Sequence, residues 1–295
     1  IVYLLARESL GRWAAFFAAL ALGLSPRFIA HSHFNIKDVP KVFFFSLTIW
    51  TFWRGSTRVN WRWMTGSAMA MGLALGTRVN AILLPLILGP WIVGVLIGSC
   101  SKQQSWPVTW WVSLATYPIT ALLIWIATWP AMLVDPIGTL RGFVGHWAFL
   151  AFDAYSLETW SPYALIYVAL VTPPLVLLAG SLGTIIALRE LRQAYGQVLS
   201  LLILWAGIPL LRTAIPRATN YDGIRQFLEF LPAFCLLGGL GIQRVLEAAE
   251  RSLHRQLSDG LALLLIACSF IPNLARVIQI HPHQLAYFNA FAGGL

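Results

Sequence analysis

The chain has 295 residues, of which 58% are hydrophobic and 11% charged, against about 25% charged in an ordinary soluble domain. That composition excludes a conventional water-soluble fold and points to lipid as the solvent. A net charge of +9 comes from 20 Lys+Arg and 11 Asp+Glu, but the basic residues are scattered between apolar runs, with no block to follow a phosphate backbone, so nucleic acid is set aside.

The first segment, IVYLLARE, reads as an apolar helix already under way, and the last, FAGGL, as an unfinished element, so an internal fragment of a larger protein is expected. Stretches of about 20 mostly apolar residues mark membrane spans. In chain order these fall near 13–31, 39–53, 63–77, 80–98, 107–129, 162–187, 197–215, 226–246 and 258–275. The expectation is an all-α polytopic bundle of about nine spans, one transmembrane domain over 1–295. Residues 130–161 form the longest connection, long enough for a helix lying on the membrane, with Arg141 and His146 as candidates in it. Cys100, Cys235 and Cys268 all sit in or beside apolar runs and read as small core residues rather than a disulfide framework or zinc site.

Loop charge decides little about orientation: with two crossings in 63–98, eleven of the 20 basic residues fall on one side. The other nine are Arg27, Lys37, Lys41, Arg78, Arg141, Arg212, Arg217, Arg225 and Arg276. They share their loops with Asp38, Asp135, Asp153, Glu158, Asp222 and most of the histidines. Ionisable groups gathered on one face of a membrane protein mark a site there, the alternative being a merely solvated surface.

The motif SPRFIAHSHFNIKDVPK, residues 25–41, is bracketed by Pro26 and Pro40, which interrupt regular helix. Arg27 and Lys37 can bind an anionic head group, and Asp38 can act as acid/base. His33 and Asn35 lie in the same stretch, and His31 and His33 with Asp38 have no diagnostic metal spacing. Asp38 is also expected to cap the helix beginning at Val39–Pro40. In RTAIPRATNYDGIRQFLEFLPAF, residues 212–234, Arg217, Tyr221, Asp222 and Arg225 precede an apolar helix. Arg225 suits phosphate through its fork of donors, or pairs with Glu229 on one helix face. In IHPHQLAYFNAFAGG, residues 280–294, Tyr287 and Phe288 read as an interfacial belt, while His281 and Asn289 have no such explanation. Nucleotide-binding loops, the GxSxG elbow and zinc-protease motifs are absent from the sequence.

LARESLGRWAAFFAALALGLSPRFIAHSHFNIKDVP, YDGIRQFLEFLPAFCLLGGLGI and HPHQLAYFNAFAGG, in this order along nearly the whole chain, resemble the bacterial protein O-mannosyltransferase and aminoarabinose transferase family. These are GT-C membrane glycosyltransferases of the dolichyl-phosphate-mannose-protein mannosyltransferase kind. The resemblance implies transfer of a sugar from a polyprenyl-phosphate donor to a glycan, lipid or protein acceptor, with inversion. It places the protein in the bacterial inner membrane with its site on the periplasmic face.

The family's main catalytic carboxylate would lie before Ile1. Asp38 matches its second acidic position, and Arg225 a basic position facing the lipid phosphate. Arg27, His33, Asn35, Lys37, Arg78, Tyr221, Asp222, His281 and Asn289 complete the expected substrate and lipid-phosphate set. No cofactor is implied beyond the donor, and a divalent metal has no supporting ligand pattern. Competing readings are a non-catalytic relative and a transporter or lipid flippase; against the latter, no repeat is visible and the polar motifs lie at span ends rather than mid-span.

Overall fold

The computed structural model describes all residues except 102–105, 152–158, 193–195, 219, 254–258 and 295. The helices are α1 (Val2–Ser9), α2 (Arg12–Gly23), α3 (Pro26–Phe34), α4 (Asp38–Thr57), α5 (Trp61–Thr77), α6 (Leu83–Ser101), α7 (Val108–Ala115), α8 (Tyr117–Thr128), α9 (Ala131–Val134), α10 (Pro136–Ala151), α11 (Tyr163–Val171), α12 (Pro174–Glu190), α13 (Gly196–Ala214), α14 (Phe230–Leu253), α15 (Asp259–Ser269) and α16 (Ile271–Gln279). Short 3-10 turns occupy Val79–Ile82, Gly223–Phe227, Gln284–Ala286 and Ala290–Ala292, and there is no strand among the described residues.

Helix lies where each apolar stretch was expected, but the count of nine spans is not confirmed. Asn80–Ser99, Gly196–Ala214, Phe230–Ser252 and Asp259–Gln279 are long and apolar enough to cross a bilayer. Two bent pairs, α2 with α3 at 54° and α7 with α8 at 45°, raise the number to six if each is one span. The shortfall has local causes. α5 has only 17 residues, α4 carries Asp38, Lys41 and Arg54, and the 162–187 stretch breaks at Thr172 before Pro173 and Pro174. The apolar exterior is consistent with lipid as the solvent: on α15, Leu261, Leu263, Leu264 and Leu265 are all exposed. The protein is a multi-pass membrane protein.

Residues 25–41 are helical at both ends rather than a loop. Pro26 opens α3 and Pro40 sits in the first turn of α4, where a missing N–H costs nothing. The described residues of 130–161 are likewise mostly helix: Asp135 Oδ1 accepts from Gly138 N at 2.9 Å and caps α10, which packs Phe143 on Trp125 with ring centres 5.0 Å apart. Cys235 is buried, but Cys268 is exposed on α15, because its helix face is turned away from protein.

The chain divides into two compact units: Ile1–Ile36, Pro162–Leu210 and Asp222–Leu295 form the first, Lys37–Ser161 and Leu211–Tyr221 the second. The first is built on α2, α12 and α14, which approach through glycine. A Cβ on Gly183 would collide with the Leu237 carbonyl, and one on Gly239 with the Ala14 carbonyl. Such close backbone approach is how helices gain contact where lipid removes the hydrophobic drive to associate. The second unit packs α4, α5 and α8, with Ser67 Oγ donating to the Thr48 carbonyl at 2.8 Å and lying 2.9 Å from the Tyr117 hydroxyl.

Candidate functional site

A cavity of about 510 Å³ in the first unit is lined by Arg27, His31, Asn35, Tyr167, Asp222 and Arg225, with Phe34, Gly223, Leu285 and Phe288 completing its wall. This is within the usual size range of small-molecule sites. Arg27 and His31 are one turn apart on α3, so helical spacing alone aims both at one side. Arg27 Nε donates to the Tyr287 carbonyl at 3.2 Å, and its guanidinium lies 5.2 Å from the Phe288 ring centre. These contacts leave the planar fork held at the cavity wall.

The opposite wall comes from the YDG turn. Asp222 and Gly223 both take left-handed backbone angles (φ 57° and 60°), which glycine adopts freely and Asp tolerates. Gly223 N donates to the Tyr163 hydroxyl at 2.7 Å, and Tyr163 stacks on Tyr167 with ring centres 4.6 Å apart. The reversal sets Asp222 beside Arg225, whose Nη1 donates to Asp222 Oδ2 at 2.8 Å. Arg225 and Glu229 do not share one α-helix face: Arg225 is in a 3-10 turn, and α14 starts only at Phe230. With two guanidiniums and one carboxylate, the cavity carries a positive excess and can hold a phosphate bidentately.

The remaining expected site residues are distributed as follows. His33 and Lys37 are exposed, and neither Tyr221, which is also exposed, nor His281 lines the cavity. His281 is exposed with Nδ1 2.9 Å from Gln284 Nε2. Asn289 is buried, and its role in the fold is clear. Pro173 and Pro174 bring no N–H to the end of α11, and Asn289 serves the stranded carbonyls. Its Nδ2 donates to Ala169 O at 2.6 Å and Thr172 O at 2.8 Å, and its backbone N to Leu170 O at 2.8 Å. Tyr287 is buried rather than part of an interfacial belt, since its carbonyl accepts from Arg27 and the segment folds back on α3.

In the second unit Asp38 is fully buried and forms an ion pair with Arg78. It does not cap α4, because the helix begins at Asp38 itself and Lys37 precedes it; a guanidinium is a stronger partner for a carboxylate than the amides of the first turn. Lys41, one turn later, is fully buried as well. Arg78 ends α5 in extended conformation, so the break between α5 and α6 is what presents it. Arg141 is exposed on α10; the side chain of His146 lies outside the described residues, as do Asp153 and Glu158. Among the described residues no three His, Cys, Asp or Glu side chains are placed to hold a metal.

Sequence reasoning missed Tyr167. Its only signal was Tyr163 four residues earlier in YALIYVALV, a spacing lost among apolar neighbours.

Comparison with known proteins bears on the whole arrangement. A family described as dolichyl-phosphate-mannose-protein mannosyltransferase matches residues 1–129. No curated protein matches the chain. The crystal structure of ArnT from Cupriavidus metallidurans, bound to undecaprenyl phosphate, is similar with a TM-score of 0.61 and 17% identity, over 94% of this chain and 53% of that one. The chain thus spans about half the length of that relative and shares its fold, the GT-C architecture that the sequence resemblance implied.

Proposed function

We propose that the chain is the transmembrane part of a glycosyltransferase that moves a sugar from a polyprenyl-phosphate donor to an acceptor on the extracytoplasmic face of a bacterial inner membrane. The observation that carries the reading is the cavity pairing Arg27 and Arg225 across apolar and aromatic walls. A lipid-borne phosphate needs that combination: a cationic fork for the head group and apolar surface for the first units of the tail. The family match over the first 129 residues and the fold shared with an enzyme bound to undecaprenyl phosphate support it.

In this reading Arg27 and Arg225 hold the phosphate and stabilise the charge it gains on leaving. The bond from the sugar's anomeric carbon to the phosphate oxygen breaks with its electron pair going to phosphate. The acceptor oxygen attacks from the opposite face, losing its proton to a carboxylate, which inverts the centre. Asp38, paired with Arg78, is the second acidic group we assign to this chemistry rather than its main base. Tyr167 adds an aromatic face against which a sugar ring packs.

The test is transfer from a radiolabelled polyprenyl-phosphate sugar in proteoliposomes containing the full-length enzyme. Asp38→Asn is expected to lower turnover at least about tenfold, roughly 1.4 kcal/mol in the barrier, with folded protein retained. Wild-type turnover in that variant overturns the role of Asp38, and absence of transfer by the unaltered enzyme from every donor offered overturns the reading.

A further inference from the structure

A second cavity, of about 570 Å³, lies in the same unit and shares Phe288 with the first. Its walls are Pro173, Pro174 and Leu175 at the break between α11 and α12, one side of α15 and α16, and the C-terminal Ala290, Gly293 and Gly294. The lining is mainly apolar, and Arg276 brings its one cationic group. Both sides are firmly tied. Asn273 Nδ2 donates to the Leu24 carbonyl at 2.8 Å and fixes α16, while the bonds of Asn289 fix the C-terminal segment to residues 169–172.

Among the described residues Arg276 is paired with no carboxylate. Its Nη1 reaches only Gln279 Oε1, a neutral partner on the same turn, at 3.3 Å. Nη2 lies over Gly294, where a Cβ would stand 3.4 Å away and a larger side chain would crowd the guanidinium. Gly294 has φ 63° and Gly293 φ 91°, so the backbone turns beside the cation in a way that keeps side chains off it. A half-buried guanidinium at the end of an apolar helix pair, opening on an apolar chamber, is complementary to an anion that carries hydrocarbon.

We infer that this second cavity binds an anionic amphiphile, a phosphate-bearing lipid head group on Arg276 with its first acyl carbons against Pro272, Leu175 and Phe288. Binding here needs no turnover and goes beyond the donor site described above. Phe288 stands between the two cavities with Arg27 packed on its ring, so a ligand in the second cavity sits one aromatic ring away from the donor's phosphate.

The experiment measures binding of fluorescent phosphatidic acid to the purified protein in detergent. It is made in an Arg225→Gln background, which removes a donor-site cation and so reads the second cavity separately from transfer. Dihexanoyl phosphatidic acid is expected to compete, and phosphatidylcholine and millimolar inorganic phosphate are not. Arg276→Gln should weaken binding at least tenfold, and Ala290→Trp, which fills the chamber from an exposed position, should abolish it. Arg7→Gln, on an exposed face of α1, should leave binding unchanged.

Equal binding by Arg276→Gln, or equal competition by phosphatidylcholine, overturns the proposal. Equal competition by inorganic phosphate does so too, by showing a free-anion site. If Arg276→Gln fails to fold, Ala290→Trp decides alone, and retained binding there rejects the cavity. Loss of transfer with intact lipid binding, or the reverse, tells failure of the two readings apart.

Discussion

At the scale of single residues, the two asparagines and the two arginines that drew notice in the sequence divide into different kinds of work. Asn289 repairs a helix end: a proline pair removes N–H donors, and water is absent inside a membrane protein to replace them. Asn289→Leu is expected to strand the carbonyls of Ala169 and Thr172, at about 1–3 kcal/mol for each unsatisfied buried group. A fall in melting temperature in detergent, with catalysis lost only in proportion to folded protein, would confirm it. Asn35 instead faces the cavity with Arg27 and Arg225. For Arg225, replacement by Gln should raise the KM for the lipid donor about tenfold, and Lys should recover little of that, because an ammonium cannot present two parallel donors to one phosphate. A Lys variant with wild-type KM would show that charge alone suffices.

At the scale of elements, the YDG turn depends on a tyrosine sixty residues away in sequence. Tyr163 accepts from Gly223 N, so Tyr163→Phe should loosen the turn, and with it Asp222 and Arg225. The expected result is a several-fold rise in donor KM with little change in melting temperature, since one partly exposed hydrogen bond is worth about 1 kcal/mol; a large loss of stability with unchanged KM would make the tyrosine structural only.

The helix interfaces of the first unit make a harder prediction. Gly183 and Gly239 sit where backbones touch, so Gly183→Leu should prevent α12 from seating against α14 and leave little folded protein by size-exclusion chromatography. Gly207, whose Cβ would meet nothing within 4 Å, is the matched control. Gly207→Ala should fold normally.

At the scale of the whole molecule, the crossing of α4 makes a direct prediction. α4 has 20 residues, about 30 Å of helix, and carries exposed Lys37 just before it and exposed Arg58 just after. If α4 spans, single cysteines at these two positions, in a background with Cys100, Cys235 and Cys268 changed to Ala, should differ in labelling by an impermeant maleimide on intact spheroplasts. Position 37 should label and position 58 should not. Labelling of both would leave α4 on one side of the bilayer and would lower the span count toward the four unambiguous helices.

Much of this was legible in the residues themselves. Composition and the lengths of apolar runs determined an all-helical membrane protein, because a bilayer leaves the backbone few other ways to satisfy its hydrogen bonds. The YDG turn and the 25–41 motif could be singled out as candidate site material because charge is costly beside lipid. What the sequence could not decide was the partner of each polar group. Asp38 had the pattern of a helix cap and is paired with Arg78; Arg225 had the spacing to pair with Glu229 and is paired with Asp222; Asn289 resembled a ligand and holds a helix end. Local pattern states which bonds a side chain is able to make. For Asp38 and Asn289 the bond made depends on groups forty to over a hundred residues away that only folding brings close, and for Arg225 on the backbone reversal of the YDG turn.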